Sequence, residues 1–231
     1  MSIPIRFMYK VVHVLLKSTN ELVYIGIINT KDASMPLTAL RANYNSLSYK
    51  ATADSDAMLY NKALENVGNE LKKHFDDNGC FPRDNQKIYE QNYYPKIRKL
   101  LQSFSTPIEI EENVVADKIE TGHQNGNYIY GHYKGKEFIV DYVGRCTDCE
   151  LRKRIMHRWN EDDNNYKDFN KNNTNYARFR YAKNDDEAVD IECLLYHYYG
   201  GKAKLINNEH PSRENTQAHC PVCDEVKNMI K

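Results

Sequence analysis

Residues 126–144 read GNYIYGHYKGKEFIVDYVG, and no other stretch restricts the fold of this chain so tightly. Tyr, Ile, Val and Phe favour extended backbone, and Lys134-Gly135-Lys136 interrupts them midway with the residue that best tolerates positive φ. The pattern predicts a β-hairpin over 128–143. Reflecting Tyr128 about Gly135 lands on Tyr142, so two phenols are expected to face each other across the ladder. A helix is expected from about Asp148, opened by Thr147 with Glu150 three residues later as a capping box. On it Leu151 and Ile155 form an apolar stripe, while Arg154, His157 and Arg158 share a neighbouring face. Arg145, Arg152, Lys153, Arg154 and Arg158 fall within fourteen residues. The planar guanidinium fork suits bidentate hydrogen bonding to phosphate. A cross-strand aromatic pair and a solvated basic helix face would account for the same residues without any site.

A second helix, expected over 186–199 and stopped by Gly200-Gly201, sharpens the picture. At about 100° per residue Ala188, Ile191, Leu195 and Tyr199 form one stripe, and Glu192 falls inside it. An unpaired carboxylate on a buried face costs several kcal/mol, so Glu192 needs a metal, an arginine or both.

Bulk properties narrow the class. The 231 residues allow one large domain or two small ones. A formal net charge of zero argues against a histone-like binder, yet leaves room for an enzyme whose basic groups line one groove. No apolar run approaches the roughly 20 residues that span a bilayer, and the opening MSIPIRFMYKVVHVLL lacks a small-residue cleavage site. An intracellular, cytoplasmic protein without a membrane partner is expected. There, six cysteines speak against a disulfide framework. Cys146/Cys149 and Cys220/Cys223 form CxxC pairs, either metal-binding or plain thiols. Cys80 reads as a small core residue.

The first half follows a similar plan. Strands are expected over 7–16 and 21–28, a helix over 56–75 stopped by Asn78-Gly79, a short helix beginning at Pro95, and a strand over 108–115. In the second half, 160–175 reads as a loop and 178–182 as a strand. Tyr9 to Tyr24 is a step of fifteen residues and Tyr128 to Tyr142 one of fourteen. Both second tyrosines open a Tyr-aliphatic-Gly triplet, which suggests an internal duplication. The expected organisation is a degenerate module over 1–92, a connecting helix and linker over 93–123, a complete module over 124–209 and a Cys/His tail over 210–231.

In this order the motifs resemble the GIY-YIG endonuclease family. Gly126-Asn127-Tyr128, Tyr142-Val143-Gly144, Leu151 with Arg154, Glu192 and Asn207 match its successive motifs, across about residues 124–210. Tyr130 competes with Tyr128 for the first tyrosine, and Arg158 rather than His157 stands four residues after Arg154. The resemblance implies an α+β fold with a small three-stranded antiparallel sheet flanked by helices, here duplicated. It also implies metal-dependent hydrolysis of DNA phosphodiester bonds. Glu192 would hold Mg²⁺ or Mn²⁺, Arg154 would bind the scissile phosphate, and Tyr142 or Tyr128 would activate water, with His157 assisting. Asn207 would position neighbouring groups, and Gly144, Arg145 and Arg158 would contact substrate. One such site cuts one strand, so double-strand cleavage would call for a homodimer or successive nicks. A catalytically silent nucleic-acid-binding or partner-binding protein that keeps the fold is the alternative.

In the first module Tyr24-Ile25-Gly26 is present. Its helix face of Leu64, Val67, Leu71 and Phe75 puts Gly68 where Glu192 stands, so the copy is expected to be inactive. Cys193 and His197, four apart on the Glu192 helix, face away from the Glu192 stripe. With Cys220 and Cys223 they would make a tetrahedral structural zinc site. Cys146 and Cys149 offer a rival half, and His210 or His219 could replace His197.

Overall fold

The computed structural model describes residues 8–29, 44, 48–54, 56–123, 125–147, 149–159, 166–211, 220 and 222; for Arg158, Trp159 and Tyr166 it describes the backbone only. The chain divides into two compact units, one up to Gln91 and one over Asn92–Val222. Both are mixed α+β, with small antiparallel sheets flanked by helices. Among the described residues no helix is long and apolar enough to cross a membrane.

In the first unit, β1 (Tyr9–Leu16) pairs with β2 (Leu22–Asn29) on one side and β3 (Tyr49–Ala53) on the other, in the order β2-β1-β3. Helix α1 (Tyr60–Asn78) buries Ala63, Leu64, Val67, Leu71 and Phe75, a three-and-four spacing that makes one apolar stripe. It ends at Gly79, whose φ of 71° suits glycine and lets its N–H reach the Phe75 carbonyl at 2.7 Å. Cys80 follows and is exposed, not a core residue.

Helix α2 (Arg83–Leu101) carries Pro95 inside it rather than at its start. Proline removes one hydrogen bond and crowds the preceding turn, at a cost of about 3 kcal/mol. The buried side chains Tyr89, Tyr93 and Ile97, four apart, bracket the proline and hold the helix through it.

The second unit contains β4 (Ile108–Glu109), α3 (Glu112–Lys118), β5 (Gly126–Lys134), β6 (Glu137–Cys146), α4 (Leu151–Trp159), α5 (Tyr166–Lys171), β7 (Tyr176–Tyr181) and α6 (Asp185–Tyr198). Its sheet has four strands in the order β4-β7-β5-β6. The strand expected over 108–115 ends at Glu109. Val115 and Ile119, both buried, then point inward at helical spacing from α3 and the residue after it. The expected capping box does not form: α4 starts at Leu151, where the Glu150 carbonyl accepts from the Arg154 N–H at 2.9 Å. Part of the expected loop over 160–175 is helical, because Phe169 on α5 is fully buried. Helix α6 is capped by Asn184, whose side chain accepts from the Glu187 N–H at 2.9 Å.

The hairpin register differs from the expected one. Lys134 pairs with Glu137 around Gly135 (φ 66°), which sets the pivot half a residue beyond Gly135. Tyr130 then faces Tyr142 while Gly131 faces Val140, so Asp141 is the extra residue of a β-bulge. Pivot and bulge together bring Tyr128 opposite Gly144 and Tyr130 opposite Tyr142.

Candidate active site and a Cys/His cluster

The glycines of the two motifs are spacers for specific neighbours. A Cβ on Gly144 would lie 2.5 Å from Tyr128 Cζ, and one on Gly126 would lie 2.7 Å from Leu151 Cδ2. The phenol and the first leucine of α4 therefore fit only because two strand positions carry no side chain. Tyr128, Tyr130 and Tyr142 gather on this face, with ring centroids 5.0, 5.8 and 6.1 Å apart. Phe169 stands edge-on to Tyr130 and Tyr142 at 5.3 and 5.6 Å. Leu151 and Ile155 complete the cluster. The Tyr130 hydroxyl is committed, donating to the Ile155 carbonyl at 2.5 Å. Tyr142, at 7% exposed, is the least enclosed of the three rings.

Glu192 is buried at 8% exposure on α6, where Arg145 of β6 donates to its carboxylate. Their side chains are 10% and 17% exposed. The partner this carboxylate needs is thus Arg145, for which the family resemblance implies a substrate contact. One strand over, Asn127 donates to the Ala188 carbonyl at 2.7 Å. Alternation along β5 and β6 points Asn127, Val143 and Arg145 toward α6, and Tyr128, Tyr130 and Tyr142 toward α4. The expected catalytic set is therefore divided between the two faces of the sheet.

Asn207 has a mechanical role. Its Oδ1 accepts from the Val143 N–H at 3.1 Å and its Nδ2 donates to the Val143 carbonyl at 2.8 Å. It thereby clamps the outer edge of β6 at the middle residue of Tyr142-Val143-Gly144. The first unit has the same device. Asn85 of α2 accepts from the Ile25 N–H at 2.9 Å and donates to the Ile25 carbonyl at 3.0 Å, clamping β2 at the middle of Tyr24-Ile25-Gly26. The registers differ in content: Val12 faces Gly26 and Val14 faces Tyr24, while Tyr9 faces Asn29. Tyr9 is therefore not the counterpart of Tyr128. On α1, Gly68 is buried, and Glu70 forms an ion pair with His13 of β1.

Arg154 is half-buried, and its Nε has no hydrogen-bond partner among the described residues. His157 on the same helix is exposed, and the Arg158 side chain lies outside the described residues. A polar anchor missed in the sequence is Asp141. The bulge turns it inward, where it accepts from Thr174 Oγ1 and meets His132 Nδ1, each at 2.7 Å. Thr174 and Asp141 are both buried.

The cysteines separate into two groups. Cys146 and Cys149 are joined to each other by a disulfide, with Cα atoms 5.8 Å apart, so that CxxC is not half of a shared metal site. Cys193, His197, His210 and Cys220 draw together instead. His197 Nε2 lies 3.3 Å from both His210 Nε2 and Cys220 Sγ. The buried Cys193 thiol donates to the Pro211 carbonyl at 3.6 Å and lies near Cys220. Cys223 and His219 lie outside the described residues. Among the described residues, His197, His210 and Cys220 are the one group of three with ligand atoms mutually within 4.8 Å. Glu192 belongs to no such group, so a cation there would rest on one carboxylate.

No protein-family model, curated protein or solved structure matches the chain.

Proposed function

We propose that the second unit is a GIY-YIG-type endonuclease domain that hydrolyses DNA phosphodiester bonds, and that the first is a degenerate copy. The observation that carries the reading is Glu192, a charged carboxylate held on the sheet-facing side of α6 and met there by Arg145. Around it the family's motifs occur on the expected elements: the two glycine–tyrosine strands paired, Arg154 on the following helix, and Asn207 bonded to the second strand. The central position of β1 and β5 in their sheets, and the matching Asn85 and Asn207 clamps, support duplication. Val12 and Gly68, where the active copy has Tyr128 and Glu192, support loss of chemistry in the first.

One carboxylate is enough for Mg²⁺ or Mn²⁺ when waters and phosphate oxygens complete the shell, so Glu192 fits such an ion. When bound, the cation would neutralise charge on the leaving oxygen. Arg145 would hold the Glu192 carboxylate aimed in the absence of substrate. Arg154, with an unused Nε donor, would take a phosphate oxygen. Among the tyrosines, Tyr142 is best placed to orient water, since the Tyr130 hydroxyl is occupied and Tyr128 is packed over Gly144.

The catalytically silent alternative is favoured by one observation, the division of tyrosines and Glu192 between faces of the sheet. Glu192→Gln separates the readings. On supercoiled and linear DNA with Mg²⁺ or Mn²⁺, the wild type should nick and the variant should lose at least a hundredfold in rate while keeping its circular dichroism spectrum. Failure of the wild type to cleave either DNA with either ion would leave only the silent reading.

A further inference from the structure

The geometry points to a structural Zn²⁺ site built on His197, His210 and Cys220, with Cys193 as the fourth ligand on binding, which ties the segment after α6 to the back of the helix that carries Glu192. It is independent of the nuclease reading.

Distances come first. With Zn–N near 2.0–2.1 Å and Zn–S near 2.3 Å, a tetrahedral site has N···N edges of about 3.3 Å and N···S edges of about 3.6 Å. The two edges from His197 Nε2 are both 3.3 Å, to His210 Nε2 and to Cys220 Sγ. Cys193, one turn before His197 and near Cys220, stands outside the three mutually close atoms, and a turn of its side chain on metal binding would bring its thiol to the fourth corner. Ligands Cys193 and His197 stand four apart on one helix, so their side chains project from adjacent turns on the same side.

Burial comes second. Cys193, His197 and Cys220 are at most 2% exposed. An imidazole and two thiols so enclosed form only weak hydrogen bonds with one another, and a metal ion binds them more strongly than they bind each other. A cation changes this balance. Two thiols lose their protons to solvent on binding, and two thiolates with two neutral imidazoles leave the complex with Zn²⁺ uncharged. A neutral complex suits an enclosed position, and a soft donor set of this kind selects zinc over Mg²⁺.

Of the expected Cys193, His197, Cys220, Cys223 set, Cys223 lies outside the described residues, and its corner is assigned to His210, which stands 3.3 Å from His197. The consequence is mechanical. From His210 to Cys220 the chain would be fastened at both ends to α6, and Glu192 sits beside one of the ligands.

Metal content and spectroscopy of the full chain test this without any activity assay. Protein purified without chelator should carry about one zinc per chain by plasma mass spectrometry. Replacing zinc with Co²⁺ should give intense tetrahedral bands and a thiolate charge-transfer band. Cys220→Ser and His210→Ala should each lose most of the zinc or convert the cobalt spectrum, whereas Cys223→Ser should retain both. In native protein, Cys193 and Cys220 should react with a thiol reagent only after chelation, with exposed Cys80 reacting at once as internal control. Wild type with less than half an equivalent after zinc supplementation, or a cobalt form lacking the thiolate band, overturns the site. Loss of zinc in Cys223→Ser with retention in His210→Ala overturns the ligand assignment. If the serine or alanine variants do not fold, the wild-type metal content and cobalt spectrum still decide.

Discussion

Gly144→Ala is the sharpest test of the packing that builds the candidate site. The added Cβ would stand 2.5 Å from Tyr128 Cζ, 2.6 Å from Oη and 2.7 Å from Cε2. Carbon atoms in contact prefer about 3.5–4.0 Å, so the ring must retreat by about 1 Å. It has little room to do so, being 1% exposed and stacked near Tyr130 and Tyr142. Overpacking of a filled core costs about 1–3 kcal/mol. Taking about 2 kcal/mol with a urea m-value of about 2 kcal/mol/M, the midpoint for the second unit should fall by about 1 M.

Tyrosine fluorescence and far-ultraviolet circular dichroism during urea titration measure this shift. Tyr128→Leu removes the colliding ring atoms, so the alanine should cost far less in that background than in wild type. The double-mutant cycle should therefore return a coupling of about 1 kcal/mol or more. A Gly144→Ala midpoint unchanged from wild type, or a cost equal in both backgrounds, would refute the close approach of Tyr128 to Gly144.

Three further outcomes follow from named contacts. Arg145→Met strands the buried Glu192 carboxylate and should destabilise by about 3–5 kcal/mol, whereas Arg145→Met with Glu192→Leu should recover much of it in thermal melts. Equal losses in the single and double variants would show that the two charges do not depend on each other. Asn207→Ala and Asn85→Ala should each cost about 1–3 kcal/mol by denaturant titration, because each leaves a strand-edge N–H and carbonyl without its partner. Aspartate at these positions should not rescue them, since a carboxylate repels the carbonyl. Burial holds the phenols of Tyr24 and Tyr199 up to about 12, above the ordinary 10.0. The neutral phenol is the form the fold prefers, so this stabilisation is complete below pH 10 and is lost as pH rises from 10 through about 12. Phenolate absorbance at alkaline pH should show these tyrosines ionising late and together with unfolding; ionisation at 10 in folded protein would contradict their burial.

The fold was most readable where side-chain periodicity is strong and local. The hairpin of β5 and β6, the stripe of α1 and the α6 helix all follow from spacing. Misreadings arose where long-range burial overrode local signals. Pro95 reads as a helix start until Tyr89, Tyr93 and Ile97 are seen to be buried on both sides of it. Thr147 and Glu150 read as a capping box, yet the first N–H of α4 is taken by the His123 carbonyl at 3.0 Å, a partner that no local pattern reveals. The bulge at Asp141 leaves no pattern of its own, and it adds one residue to the register shift that the displaced pivot begins. At the candidate site, the burial of Glu192 follows from helical period, whereas its partnership with Arg145 does not, because forty-seven residues separate them.

The matching residues of the two units divide into those that build and those that act. Gly144 makes room for Tyr128, and Asn207 closes the edge of β6; both contribute to stability, and the first unit keeps a Tyr-aliphatic-Gly triplet and an asparagine clamp of its own. A scaffold role accounts for them without any reaction. Glu192 and Arg154 are different in kind. One is a charge drawn out of water, and the other carries a buried donor with no acceptor among the described residues. Arg154 costs stability where a leucine would not, and the Glu192–Arg145 pair costs what two apolar side chains would not. In the first unit the corresponding helix instead buries Gly68 and keeps its acid, Glu70, at the partly exposed pair with His13. On the proposed reading, the second unit carries such costs for binding and not for folding, and the first unit lacks them. Under the proposed nuclease reading, phosphate binding by Arg154 and cation binding by Glu192 would give both costs one explanation. Glu192→Leu leaves Arg145 without its carboxylate and should lose both stability and cleavage, whereas Arg154→Leu should gain or hold stability while losing DNA cleavage. An Arg154→Leu protein that unfolds more readily than wild type would return that residue to the scaffold.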